Sequence, residues 1–168
     1  MSLVCQNVSL YRRRPDGSEG VILKQVDATL NADEATMISG KTGVGKSTLL
    51  HLMAGLLRPS QGQIKANGQA ISRWNTAHRD VWRQQVGIVF QYPYLITELT
   101  VLENVMLPLI YSGVTKSKRL ERASEVLEEV KLTDRVTHKP NELSGGQRQR
   151  VAMARALADG LDHPTLKV

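Results

Sequence analysis

The stretch Ala35–Leu50, Ala-Thr-Met-Ile-Ser-Gly-Lys-Thr-Gly-Val-Gly-Lys-Ser-Thr-Leu-Leu, constrains this chain more than any other. A short apolar run enters a glycine-rich turn and leaves as a helix, and the residues Gly40, Lys41, Thr42, Gly43, Val44, Gly45, Lys46 and Ser47 fill the pattern G-x-x-x-x-G-K-[ST], with Thr48 following. The reading is strand, phosphate-binding loop, helix. Glycines at 40, 43 and 45 let successive N–H groups turn inward around an anion without a Cβ in the way. The helix that follows offers its positive end to the same anion. Lys46 is placed to reach the β- and γ-phosphates, and the Ser47 hydroxyl to hold Mg²⁺. Average glycine usage makes a chance match in a chain of this size an event on the order of one per cent, so an ordinary turn is the poorer account.

At 168 residues the chain is one domain by the usual allowance of about 150 residues each. Its longest apolar run, Val101–Ile110, is interrupted by Glu103, Asn104 and Pro108, too short to cross a bilayer. The amino terminus lacks a signal pattern, so any service to a membrane is expected from the cytosol, as a peripheral partner on the inner face. The net charge of +6 invites a nucleic-acid reading. The distribution argues against it. Arg12–Arg14 is one short cluster, and Lys116, Lys118, Arg119 and Arg122 alternate with glutamates as a solvated helix face does. The single Cys5 sits in an alternating apolar stretch and reads as a reduced core residue.

Leu3–Arg12 and Val21–Leu30 read as a hairpin around the turn Pro15-Asp16-Gly17. Tyr11 lies near the end of its first strand, where cross-strand packing is the simplest use of its ring. Lys46–Leu57 has helical spacing and is closed by Arg58-Pro59. Gln63–Ile71 holds Asn67-Gly68 and reads as a second hairpin. Thr76–Gln85 reads as a short helix with a threonine cap. The apolar run Val86–Phe90 reads as a buried parallel strand that stops at polar Gln91. In an open α/β sheet that is where ligands bind; beginning a loop is the equally good alternative. Thr100–Leu107 reads as a helix ended or kinked by Pro108, and Lys116–Val130 as a packing helix with Leu120, Ala123, Leu127 and Val130 inward.

The second strong signal is Asn141–Arg150, Asn-Glu-Leu-Ser-Gly-Gly-Gln-Arg-Gln-Arg. Ser144 is a natural cap, yet the first helical turn holds two glycines, each costing about 1 kcal/mol against alanine. That cost makes sense where something must approach the backbone, and a helix start with bare amides suits a terminal phosphate.

Leu143–Gln147 is the LSGGQ signature of ATP-binding cassette proteins, and with the upstream loop the chain resembles the nucleotide-binding subunit of an ABC transporter. The resemblance implies an α/β P-loop NTPase fold: a RecA-like core, an antiparallel β subdomain and a helical signature subdomain, here without its carboxyl-terminal strands. It implies one incomplete domain, with 1–91 as β subdomain and P-loop core, 92–158 as helical signature subdomain and 159–168 as the start of the Walker B strand. By the same resemblance Tyr11 stacks on adenine, Gly40–Thr48 is the Walker A loop, and Gln91 is the catalytic-site glutamine that touches Mg²⁺ and couples to the membrane subunit. Ser144, Gly145, Gly146 and Gln147 bind the γ-phosphate of ATP held by a second cassette, in a head-to-tail dimer. Phe90-Gln91-Tyr92, Thr100–Val105 and Leu107-Pro108-Leu109 are similar to the lipoprotein-releasing and macrolide-export group, whose partners are FtsX-like integral-membrane permeases.

Family members carry a Walker B Asp, a catalytic Glu and a switch His further on, and Asp159, Asp162 and His163 do not fit those places in the motif order. The 168 residues alone are therefore expected to bind ATP without hydrolysing it and to leave strand edges and apolar surface exposed. Two other readings compete: a non-transport cassette ATPase acting on nucleic acid or the ribosome, and a short, catalytically dead regulator. The compact Gln91–Leu143 interval, without coiled-coil heptads, speaks against the former, and no nucleic-acid partner is expected.

Overall fold

The computed structural model describes residues 2–31, 34–84 and 86–158. The chain divides into two compact units, Met1–Arg83 and Gln84–Val168; the sequence reading places its division after Gln91, inside the second.

The first unit carries an antiparallel sheet of order β2-β1-β3-β4, with β1 Ser2–Arg13, β2 Glu19–Asn31, β3 Gln61–Ala66 and β4 Gln69–Ala70. Both hairpins read from the sequence are present. Asp16 closes the first by accepting from the Ser18 amide and hydroxyl at 2.8 and 2.6 Å. Asn67 and Gly68 close the second with φ of 48° and 80°, the paired positive angles of a type I′ turn. Strict alternation fails in β1. The register slips between Cys5 and Val8, Asn7 turns to φ 50°, and Val8 and Ser9 are both fully buried. Gly62 on β3 permits this, since a Cβ there would lie 2.2 Å from the Asn7 carbonyl oxygen. The buried Ser9 hydroxyl accepts from the Gln25 amide at 2.9 Å, which keeps it satisfied. Cys5 is a core residue; burial, aided by the charge of Asp27, pushes its thiol up to about 11.

Helix α1, Lys46–Met53, is shorter than its spacing suggests. Gly55 takes φ 73°, the Leu56 and Leu57 amides both fold back onto the His51 carbonyl, and Leu57 is left 40% exposed outside the helix. Helix α2, Thr76–Gln84, sends Trp82 under this end, where its Nε1–H donates to the Met53 carbonyl at 3.3 Å. The cap of α2 is Asn75 rather than Thr76: its Oδ1 accepts from the His78 amide at 2.9 Å.

The two runs read as parallel strands are not ladders among the described residues. Ala35–Ser39 is unpaired with Met37 87% exposed, and Val86–Phe90 holds only a single bridge residue, Ile88. Apolar character marks a segment for burial, but a strand exists only where a neighbour supplies N–H and C=O groups.

The second unit packs α3 Val101–Tyr111, α4 Lys116–Glu129 and α5 Gly145–Ala158 around Val105, Val126, Leu127 and Val151. Thr100 and Glu103 form a reciprocal capping box at the start of α3, and the Thr100 hydrogen bonds hold the Glu103 carboxyl below its usual range. Pro108 does not end α3. It sits in the last turn, where its own carbonyl takes the Ser112 amide at 3.2 Å. On α4 the packed face is Ala123, Val126 and Leu127, and Leu120, read as inward, is 47% exposed. Nor is Arg122 merely solvated: it bridges Glu125 at 3.0 Å and donates to the Leu157 carbonyl at 3.2 Å. Asn104, silent in the sequence, is wholly buried and holds the loop before α3 through Ile96, Leu99 and Thr100. Among the described residues no helix is long and apolar enough to cross a membrane.

Candidate nucleotide-binding site

In the first unit the loop 40–45 reaches its shape through three glycines with φ of 148°, 83° and 100° at Gly40, Gly43 and Gly45. Gly45 is the tightest. It precedes α1 in the left-handed region, and a Cβ there would lie 2.7 Å from Leu23 Cδ2 and 3.0 Å from the Ile22 carbonyl oxygen. No side chain caps α1, so the amides that open it remain available to an outside acceptor. Lys46 arcs back over the loop, its Nζ donating to the carbonyls of Gly40 and Lys41 at 2.8 and 2.9 Å. A cation, an uncapped helix start and a glycine turn thus meet in one exposed loop, the donor types an oligophosphate requires. Lys41, Thr42, Gly43, Val44 and Ser47 are exposed along it, with Thr48 following on α1. Ser47 offers a hydroxyl to a hard cation; among the described residues no group of His, Cys, Asp and Glu could hold a metal.

Tyr11 is half-buried on β1, its Cα opposite Val21 and its hydroxyl 3.5 Å from Gln61 Oε1.

In the second unit, Ser144 and Gln147 bond reciprocally at the start of α5: the Ser144 amide donates to Gln147 Oε1 at 2.8 Å and the Gln147 amide to Ser144 Oγ at 3.2 Å. A Cβ on Gly146 would meet nothing within 4 Å, and one on Gly145 only the end of Arg148 at 4.0 Å. The chain's own packing therefore does not require either glycine. Gln91 is exposed and begins the segment that leads to α3. The basic residues of α5 are spent inside the unit: Arg148 donates to the Leu143 carbonyl at 2.7 Å, Arg150 to Val130 at 3.2 Å, and Arg155 to Pro93 and Tyr94. Cations engaged in this way make a poor nucleic-acid surface. The loop 40–48 with Tyr11 belongs to one unit, Gln91 with Ser144–Gln147 to the other. Asp159, Asp162 and His163, and the start of a strand read at 165–168, lie outside the described residues.

A phosphate loop on a β-sheet unit and a glycine-rich signature turn on a helical unit define a class, the nucleotide-binding cassettes. The ABC transporter family model matches residues 23–163, and the chain belongs to that family. It is 44% identical over 146 residues to the lipoprotein-releasing system ATP-binding protein LolD of Bacteroides thetaiotaomicron, which covers 86% of this chain and 66% of that protein. LolD of Geobacter metallireducens is 46% identical over 159 residues, covering 94% and 71%. The chain thus spans about two thirds of the length of these curated relatives. Among solved structures, the dimeric post-hydrolysis state of the ATP-binding cassette MJ0796 bound to ADP and Pi superposes with a TM-score of 0.90 at 35% identity, covering 98% of this chain and 72% of that one. The α/β P-loop NTPase fold and the likeness to the lipoprotein-releasing group agree with the sequence reading.

Proposed function

We propose that this chain is the ATP-binding part of a transporter of the lipoprotein-releasing kind, binding Mg²⁺-ATP at Gly40–Thr48 and working on an integral-membrane permease from the cytoplasmic face. One observation carries the reading: the Lys46 amine lies across a loop whose three glycines hold angles closed to other residues, beside an uncapped helix. Lys46 exchanges its two carbonyl bonds for phosphate oxygens, and the amides of Lys46, Ser47 and Thr48 supply neutral donors. Ser47 gives the metal an oxygen ligand, and Tyr11 presents a half-buried ring for a base. Bound ATP supplies the phosphate charge that these donors neutralise and, through its γ-phosphate, a ligand for a second cassette.

The turn Ser144–Gln147 is the surface offered to that second copy, in a head-to-tail dimer; the solved MJ0796 cassette structures are dimeric. Ser144 and Gly145 are exposed, and the two glycines lack any internal reason for being there. Titration calorimetry with Mg²⁺-ATP tests the reading: saturable binding lost in Lys46→Ala supports it, and equal binding by both proteins, or none by either, removes it.

A further inference from the structure

Helix α5 does more than present the Ser144–Gln147 turn. Gln149, Ala152, Met153 and Ala156 recur at helical spacing along one face, and the buried cluster of Val89, Ala152 and Ala156 is covered by Leu95 and Met153. Two polar side chains on the same helix grip the backbone that this cluster supports. Gln149 Nε2 donates to the Phe90 carbonyl at 3.2 Å. Arg155 forks, giving Nη2 to the Pro93 carbonyl at 2.7 Å and Nη1 to the Tyr94 carbonyl at 2.9 Å. Gln91 thus lies between two tethers.

The gripped segment is not relaxed. Tyr94 holds φ 44°, a left-handed angle that aromatic residues rarely adopt, with its ring edge-on to Phe90 at 5.6 Å between centroids. Arg155 forms no ion pair among the described residues, and burial presses its pKa down from the usual guanidinium value. A half-buried cation held on two backbone carbonyls suits a fixed geometric task, which the planar fork of arginine performs and a lysine does not.

We propose that Gln149 and Arg155 are positioning residues for Gln91: they fasten residues 90–94 to α5, so that Gln91 and the Ser144–Gln147 turn move as one body. The inference rests on the reading of the chain as an ATP-binding subunit. Arg155 lies ten positions along the helix from Gly145, so the coupling runs through about 15 Å of rigid α-helix. Displacing the signature turn carries Gln91 with it, and loosening the tether leaves the turn in place while Gln91 drifts.

The test compares wild type with Arg155→Met, Arg155→Lys and Gln149→Met in the natural gene product that carries these residues. Backbone hydrogen exchange is read peptide by peptide, alongside steady-state ATPase kinetics. Exchange across residues 91–97 rises about tenfold in Arg155→Met and less in Arg155→Lys, while α5 stays within about twofold of wild type. Turnover falls about fivefold or more with KM for ATP within about twofold, because the loop that binds the nucleotide is untouched. Unchanged exchange at 91–97 overturns the proposal, and so does an equal rise throughout the second unit, which marks a merely structural arginine. Should Arg155→Met fail to fold, Gln149→Met, which removes one neutral bond, is measured in its place: a rise confined to the 91–97 segment supports the tether, and no rise overturns it. If wild type neither binds nor hydrolyses ATP, the transporter reading falls while the exchange data still decide the tether.

Discussion

Two helices of this chain begin in glycine-rich turns, and they are finished differently. At α1 the left-handed Gly45 leads in, no side chain caps the first turn, and Lys46 reaches back over the loop. At α5 a capping box between Ser144 and Gln147 closes the turn, and the glycines inside it touch almost nothing. The first turn is held open by backbone angles that only glycine tolerates. The second is closed by its own side chains and must give up a hydrogen bond before an outside phosphate can take its place. The amides that open α1 carry no side-chain cap, and it is the Lys46 side chain there that is engaged, on two carbonyls; at α5 the Gln147 amide itself is engaged by the cap.

The largest break in this contrast is expected from Lys46→Ala. Losing charge-assisted bonds worth about 1.5–3 kcal/mol should weaken ATP binding roughly 10- to 150-fold by calorimetry, while the ligand-free melting temperature barely moves. Gly45→Ala comes next. A left-handed alanine whose Cβ overlaps Leu23 should cost about 2–4 kcal/mol of stability in urea unfolding. Gly146→Ala has the opposite sign. It should stabilise α5 by up to about 1 kcal/mol and leave single-chain ATP binding intact, while ATP-driven association measured by analytical ultracentrifugation is lost. A destabilised Gly146→Ala protein, or one that still associates, would equate the two turns.

The smallest effect separates two capping boxes by pH. The box on α3 uses Glu103, whose carboxyl is held below its ordinary value by Thr100; that on α5 uses neutral Gln147. A depressed carboxyl contributes its stability above the unfolded value near 4.5 and loses it as pH falls through the lower folded value. NMR between about pH 6 and pH 3 should show the first turn of α3 fraying on the acid side and the first turn of α5 unchanged.

Much of this was legible. Asn67-Gly68 announced a hairpin because only a few residue pairs adopt two positive φ angles, and the loop at Gly40–Ser47 announced itself for the same reason. Strand pairing was less legible. Ala35–Ser39 and Val86–Phe90 read as strands and are not ladders among the described residues, since pairing belongs to two segments and a sequence window contains one. The cap of α2 moved from Thr76 to Asn75 because either fits locally and the backbone path selects. Arg122 read as part of a solvated face, and no structural role was read for Gln149, Arg155 or Asn104; the carbonyls that Arg122, Gln149 and Arg155 reach lie 35 to 62 positions away, and Asn104 is wholly buried.

By itself the sequence determined the local chemistry: which turns need glycine, that Ser144 caps α5, and, through two motifs in order, the family. These depend on residues within a few positions of one another, where sterics and hydrogen-bond reach leave little choice. The tertiary structure alone decided which buried polar groups find partners, where a bulge brings Val8 and Ser9 inward together, and how α5 grips the backbone on both sides of Gln91. Those outcomes need two distant stretches at a distance of about 3 Å, and only the folded chain sets that distance.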